Sequence, residues 1–194
     1  KMVQIKAPQE NRFQFTDEEL KKLEDPKVKA FFVVNPGNPS GMAIDRATIA
    51  KIANLVKTKR PDLMLLTDDV YGTFVGDLRS LLGELPYHTI GVYSYSKYFG
   101  CTGWRLGVIA IHENNIYDDM IAKHTGETLK ALDKRYSPIT LTPRELKFID
   151  RIVADSRDIG LNHTAGLSLP QQVMMTMFSL SEMMDEKKAY QKAC

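Results

Sequence analysis

The sequence predicts an α/β protein with a mainly parallel sheet and one antiparallel strand. Three observations carry that expectation. Four short apolar runs recur between Ala30 and Ile111. A helical pattern separates the first two, the spacing of a right-handed βαβ unit. Polar, turn-rich segments that bear chemistry follow the runs, and ligands in such sheets lie beyond the carboxyl ends of the strands.

Each element has a local cause. Thr16-Asp17-Glu18-Glu19 reads as a capping box, starting a short helix with Leu20 and Leu23 on one side that stops at Asp25-Pro26. Ala30-Phe31-Phe32-Val33-Val34 is a continuous apolar run, expected to be a strand buried on both faces. From about Asp45 to Lys59, Ile49, Ile52, Ala53 and Val56 form one helical stripe that Pro61 ends. Leu63-Met64-Leu65-Leu66 predicts the second strand, His88 to Tyr93 the third and Trp104 to Ile111 the fourth. The gap before the fourth is too short for a crossover helix, so that strand is expected to run antiparallel or to sit elsewhere in the sheet.

From about Tyr117 the chain turns helical, and residues 115–194 are read as its mainly helical part. Thr142-Pro143-Arg144-Glu145 predicts a helix start, with Leu146, Ile149, Ile152 and Val153 as its apolar face. A last helix from about Pro170 carries Val173, Met174, Met177 and Phe178, then Met183 and Met184, a stripe read as core or subunit contact.

The chain has 194 residues, 43% hydrophobic and 26% charged, as expected of a soluble globular protein. With 26 basic and 24 acidic residues its net charge of +2 gives no case for nucleic acid or an anionic membrane. The run Lys57-Thr58-Lys59-Arg60 is read as a solvated helix end. No apolar stretch approaches the roughly 20 residues of a membrane span, and no signal-peptide pattern opens the chain. Cys101 and Cys194 form neither a metal-ligand spacing nor a disulfide framework, so a reducing cytoplasm is the expectation.

The chemistry concentrates in Asn35-Pro36-Gly37-Asn38-Pro39-Ser40-Gly41, Thr67-Asp68-Asp69-Val70-Tyr71, and Ser94-Tyr95-Ser96-Lys97 with Gly103-Trp104-Arg105 beyond. Lys97 after a buried strand is a candidate Schiff-base nucleophile if burial desolvates it, or else a lysine that snorkels. Asp68 at a strand end needs a cationic partner: a protonated pyridine nitrogen, or an ion pair with Arg105 or Lys97. Asp69 competes, but strand alternation sends it to the opposite side. Tyr71 and Asn38 suit a ring oxygen, or serve as a half-buried tyrosine and a turn residue. Arg105 with the Ser94 and Ser96 hydroxyls suits a phosphate, or Arg105 is a surface residue beside Trp104.

Asn-Pro-x-Asn-Pro-Ser-Gly, Asp-x-x-Tyr, and Ser-x-Ser-Lys followed eight residues later by Arg resemble the signature of class I/II aminotransferases, over about residues 30–112. The resemblance implies the three-layer, fold type I large domain of pyridoxal phosphate (PLP) enzymes. By it Lys97 forms the Schiff base with the cofactor, Asp68 binds the pyridine nitrogen, Tyr71 and Asn38 bind the ring oxygen, and Ser94 and Arg105 bind the phosphate; Ser96 assists beside the lysine. Lys147 to Arg157, Leu161 to Ser168 and Pro170-Gln171-Gln172 resemble the bifunctional aspartate aminotransferase and aspartate β-decarboxylase (aspartate 4-decarboxylase) group. That implies loss of the aspartate β-carboxylate as CO₂ to give alanine, with transamination against a 2-oxo acid as a second activity. Another aspartate or aromatic aminotransferase, or a PLP-binding regulatory module, is the alternative. Family members are dimers or larger. The family's glycine- and serine-rich phosphate loop and its substrate-carboxylate arginine have no counterpart in the sequence. The 1–194 chain is therefore expected to be a partial PLP-binding domain, without the N-terminal segment and C-terminal small domain, and inactive alone.

Overall fold

Thr16 accepts the Glu19 amide at 3.3 Å and starts α1 (Asp17–Lys21). The computed structural model describes residues 2–158 and 167–193. The reciprocal half of the capping box does not form. The Glu19 carboxylate accepts from the Lys6 amide and the Lys22 ammonium instead, an ion pair that outcompetes the N-cap amide.

In chain order there follow β1 (Ala30–Val34), α2 (Arg46–Thr58), β2 (Met64–Asp68), α3 (Leu81–Glu84), β3 (Thr89–Ser94) and β4 (Gly107–Ile111). The rest is helical: α4 (Ile116–Ala122), α5 (Gly126–Tyr136), α6 (Phe148–Asp158), α7 (Leu169–Met184) and α8 (Ala189–Ala193). The strands lie in the order β1-β2-β3-β4. β1, β2 and β3 are parallel, and β4 runs antiparallel to β3, as the short connection requires.

One face of the sheet is covered over β1, β2 and β3. Phe31, Val33, Leu63 and Leu65 pack with Ile49, Ile52, Leu55 and Val56 of α2 and with Leu20 and Leu23. The other face departs from the expectation of strands buried on both sides. Ile90 is buried with Ile116 and Tyr117, with Phe148 packed against them, but Phe32 is 61% exposed. α4 and α6 reach the β3 side of this face, and among the described residues no helix covers the Phe32 side of β1.

Four local expectations are corrected. The fourth strand starts at Gly107, because Thr102–Trp104 is a single 3-10 turn and Arg105 takes the left-handed region at φ 54°. α6 starts at Phe148, not Thr142, because the Asp118 carboxylate of α4 accepts the Phe148 amide at 2.7 Å and caps the helix there. Arg60 is buried, not solvated: its guanidinium donates to the carbonyls of Leu23, Asp25 and Val28 and pairs with Asp62. The methionine stripe of α7 is divided. Met174, Met175 and Phe178 pack inward, while Val173, Met177, Met183 and Met184 are exposed among the described residues.

Candidate active site

Val34, Asp68 and Val92 stand in register across β1, β2 and β3. The segments that leave those strands therefore emerge side by side at their carboxyl ends, where open α/β sheets hold ligands.

The segment after β1 folds back on itself. The Gly37 amide donates to the Met42 carbonyl at 2.9 Å and the Gly41 amide to the Gly37 carbonyl at 2.8 Å. Gly41 takes φ +67°, which a side chain would strain. The loop leaves Asn38 exposed, with its Nδ2 donating to the Tyr71 hydroxyl at 3.3 Å. The two residues expected to share one ring oxygen are therefore neighbours.

Asp68 is half-buried at the end of β2, and its Oδ1 accepts the Val70 amide at 3.1 Å. Among the described residues it makes no ion pair with Lys97 or Arg105, so the carboxylate is available to a cation. Asp69 turns to the other side of the strand, as alternation requires. There it accepts from Thr67 Oγ1 at 2.6 Å and Ser80 Oγ at 2.5 Å. Burial pushes its carboxyl above the usual range against those two hydroxyls, and its oxygens are already occupied.

Ser94 Oγ donates to Ser96 Oγ at 2.9 Å and accepts the Ser96 amide at 3.2 Å. Both serines line an open cleft of about 350 Å³ with Arg105, Gly107 and Ile109. A Cβ at Gly107 would stand 3.1 Å from the Tyr93 carbonyl, so glycine keeps that wall low. Arg105 is exposed and ties one nitrogen to the Thr102 carbonyl at 3.3 Å. Two hydroxyls and a guanidinium around one cleft are a donor set for a phosphate dianion.

Lys97 departs from the strand-end argument, because its side chain is exposed. It stands in the turn beyond β3, where Tyr95, Ser96 and Tyr98 take the inward positions. The described residues bring Lys97 to the same edge of the sheet as Asp68 but do not bury its amine.

The sequence reading missed what holds this turn. Tyr95 OH pairs with Ser179 Oγ at 2.8 Å, Tyr98 OH donates to Glu182 at 2.8 Å, and Phe99 stacks on Phe178 at 5.1 Å. Gln171 Nε2 donates to the Trp104 carbonyl at 3.1 Å. α7 thus grips the segment from Tyr95 to Trp104 at both ends. The one sequence signal was the aromatic set Tyr95, Tyr98 and Phe99 around the lysine.

The exposed amine, the free carboxylate, the amide–phenol pair and the anion cleft together fit a phosphorylated pyridine aldehyde. Among the described residues no cluster suits a metal ion, and no helix is long and apolar enough to cross a membrane. Cys101 is a free, buried thiol; Cys194, Lys1 and residues 161–166 of the decarboxylase-like stretch lie outside the described residues.

Residues 1–148 match the family model for aminotransferase class I and II. The chain is 52% identical over 193 residues to a bifunctional aspartate aminotransferase and L-aspartate beta-decarboxylase from a Pseudomonas species, covering 100% of this chain and 36% of that protein. Among solved structures, an aromatic aminotransferase from Pyrococcus horikoshii OT3 superposes with a TM-score of 0.51 and 32% identity, over 56% of this chain and 30% of that one. The aspartate aminotransferase from Thermus thermophilus with maleate gives a TM-score of 0.51 and 28% identity, over 56% and 28%. The chain spans about a third of the length of the curated relatives it matches.

Proposed function

Because the chain belongs to the class I and II aminotransferase family, a PLP-dependent family of fold type I, we propose that it carries part of the cofactor site of an enzyme that removes the β-carboxylate of L-aspartate, with transamination of aspartate as a second activity. One observation carries the finer reading. The family match ends at residue 148, whereas similarity to the bifunctional Pseudomonas enzyme runs over 193 residues. The helical part beyond the general aminotransferase pattern therefore goes with that relative.

When bound, the cofactor supplies an electron sink for bonds broken beside the substrate nitrogen. The chain's own residues attach it, orient it and move protons. Lys97 Nζ would be the amine that holds the cofactor and the base placed to take the substrate α-proton. Asp68 holds a proton on the pyridine nitrogen, and its half-buried position strengthens that charge pair. Asn38 Nδ2 and the Tyr71 hydroxyl hold the ring oxygen. Arg105, Ser94 and Ser96 hold the phosphate in the cleft. The free, buried Cys101 agrees with a reducing cytoplasm as the setting, and we assign the assembled enzyme to a homo-oligomer.

The test has two arms. The chain is incubated with PLP, reduced with borohydride and mapped by peptide mass; a single adduct on Lys97 is expected, and diffuse labelling sinks the site. The complete gene product is then given aspartate labelled at the β-carboxylate. Stoichiometric labelled CO₂ and alanine support the decarboxylase reading; oxaloacetate alone makes it a plain aminotransferase.

A further inference from the structure

The first asparagine of the loop after β1 has no part in the reading above, yet it is the more deeply placed of the two. Asn35 is 0% exposed. Its backbone amide donates to the Asp68 carbonyl at 2.9 Å. Its Nδ2 donates to the Arg79 carbonyl at 3.2 Å, and its Oδ1 accepts the Ile44 amide at 2.9 Å. One residue thus joins the end of β2, the segment leading into α3 and the return of its own loop.

The connection continues through the next residue of that segment. Ser80 follows Arg79 and donates to Asp69, which also accepts from Thr67. Asp68 is therefore held through its carbonyl by Asn35 and flanked on both sides by residues of the same polar network. Closing the loop at Ile44 also fixes the base from which Asn38 reaches Tyr71.

We propose that Asn35 is a positioning residue, a buried brace that sets Asn38 against Asp68 and Tyr71 before any ligand arrives. The proposal rests on the assignment of those three residues to the cofactor ring. The Asn35 amide supplies a donor to the Arg79 carbonyl and an acceptor to the Ile44 amide at once. Aspartate would turn an acceptor toward the Arg79 carbonyl, and leucine would strand both partners, each loss costing about 1–3 kcal/mol. Fixing the geometry in advance reduces the ordering cost that a ligand otherwise meets on binding.

The first readout needs no cofactor. Hydrogen exchange of the cofactor-free chain is compared between wild type, Asn35→Ala and the milder Asn35→Ser. The brace predicts that amides of 37–44 and 69–72 exchange about tenfold faster together while the interior of α2 is unchanged. Acceleration in only one of the two segments, or throughout the chain, overturns it, as does failure of both variants to fold. The second readout is a double-mutant cycle on PLP affinity. Asn38→Ala is expected to weaken binding about tenfold in wild type and less than about twofold further in Asn35→Ala; losses that simply multiply overturn the proposal. A wild-type chain with no Lys97 adduct would sink the cofactor assignment, and the exchange readout would still decide the brace.

Discussion

Asp68 and Asp69 are consecutive carboxylates that leave β2 on opposite faces of the sheet and meet opposite surroundings. Asp69 is closed in by Thr67 and Ser80, while the Asp68 carboxylate accepts only the Val70 amide among the described residues. One is bonded to the scaffold, and the other remains open to a cation.

Asp69 should make the fold more stable toward acid than at neutral pH, within a narrow window. Burial raises its folded pKa above the ordinary 3.8, so the native state holds the proton more tightly than the unfolded chain. That contribution is present below the unfolded value and is lost as pH rises through the folded one. Asp69→Asn should flatten this dependence and leave stability at pH 7 unchanged or higher by less than about 1 kcal/mol, because the group is partly solvent-screened. Urea midpoints across pH 4–7 check it. A clear loss at pH 7 would mean that the two hydroxyl bonds outweigh desolvation.

Tyr117 gives an alkaline counterpart. Its buried hydroxyl donates to the His88 carbonyl, and burial pushes its pKa up to about 12. A raised phenol pKa adds stability that is intact below the ordinary value of about 10 and is lost as pH rises toward 12. Tyr117→Phe should remove that alkaline loss. At pH 7 it should cost only about 0.5–1.5 kcal/mol, since the Leu65 amide also donates to the same carbonyl. Phenolate absorbance and thermal melts between pH 9 and 12 decide this.

Arg105 should recognise phosphate and not the ring. Arg105→Ala is expected to weaken PLP about 10- to 100-fold, the scale of a lost charged hydrogen bond. Unphosphorylated pyridoxal should change less than about twofold. Equal losses for the two ligands, read by absorbance titration, would remove Arg105 from the cleft's function.

Phe178 should matter to a segment far from it in sequence. It stacks on Phe99 and lies against Tyr95, in the cluster that also holds Cys101. Phe178→Ala should cost about 2–3 kcal/mol, below the roughly 3–5 kcal/mol of a fully buried ring because this one is only half-buried. It should also speed alkylation of Cys101, mapped by peptide mass. Unchanged alkylation would mean that α7 does not secure the turn.

Apolar patterning was enough to read the parallel strands and α2, and the short connection narrowed the fourth strand to an antiparallel neighbour or a place elsewhere in the sheet; the structure has the former. Asn38, Asp68, Tyr71 and Ser94 were legible as strand-end polar residues. The covered and open faces of the sheet were not, since Phe31 and Phe32 look alike in sequence and differ only in what packs on them. Arg60 and the start of α6 were misread because their partners, the Leu23 carbonyl and Asp118, lie 37 and 30 residues away. Asn35 stood in a recognised loop without a role, because burial is invisible in a turn motif.

The contacts of Tyr95 with Ser179 and of Tyr98 with Glu182 each span 84 residues. A ribosome adding about 5–20 residues per second takes on the order of several seconds to cover that stretch. For that interval the nascent turn bearing Lys97 has its pairing with β4 but not its far anchor. The turn that bears Lys97 is thus anchored later than the strand pairing beside it. A ribosome that stops after α6 would release a chain with β1 to β4 paired and the turn at Lys97 without the anchor that α7 supplies.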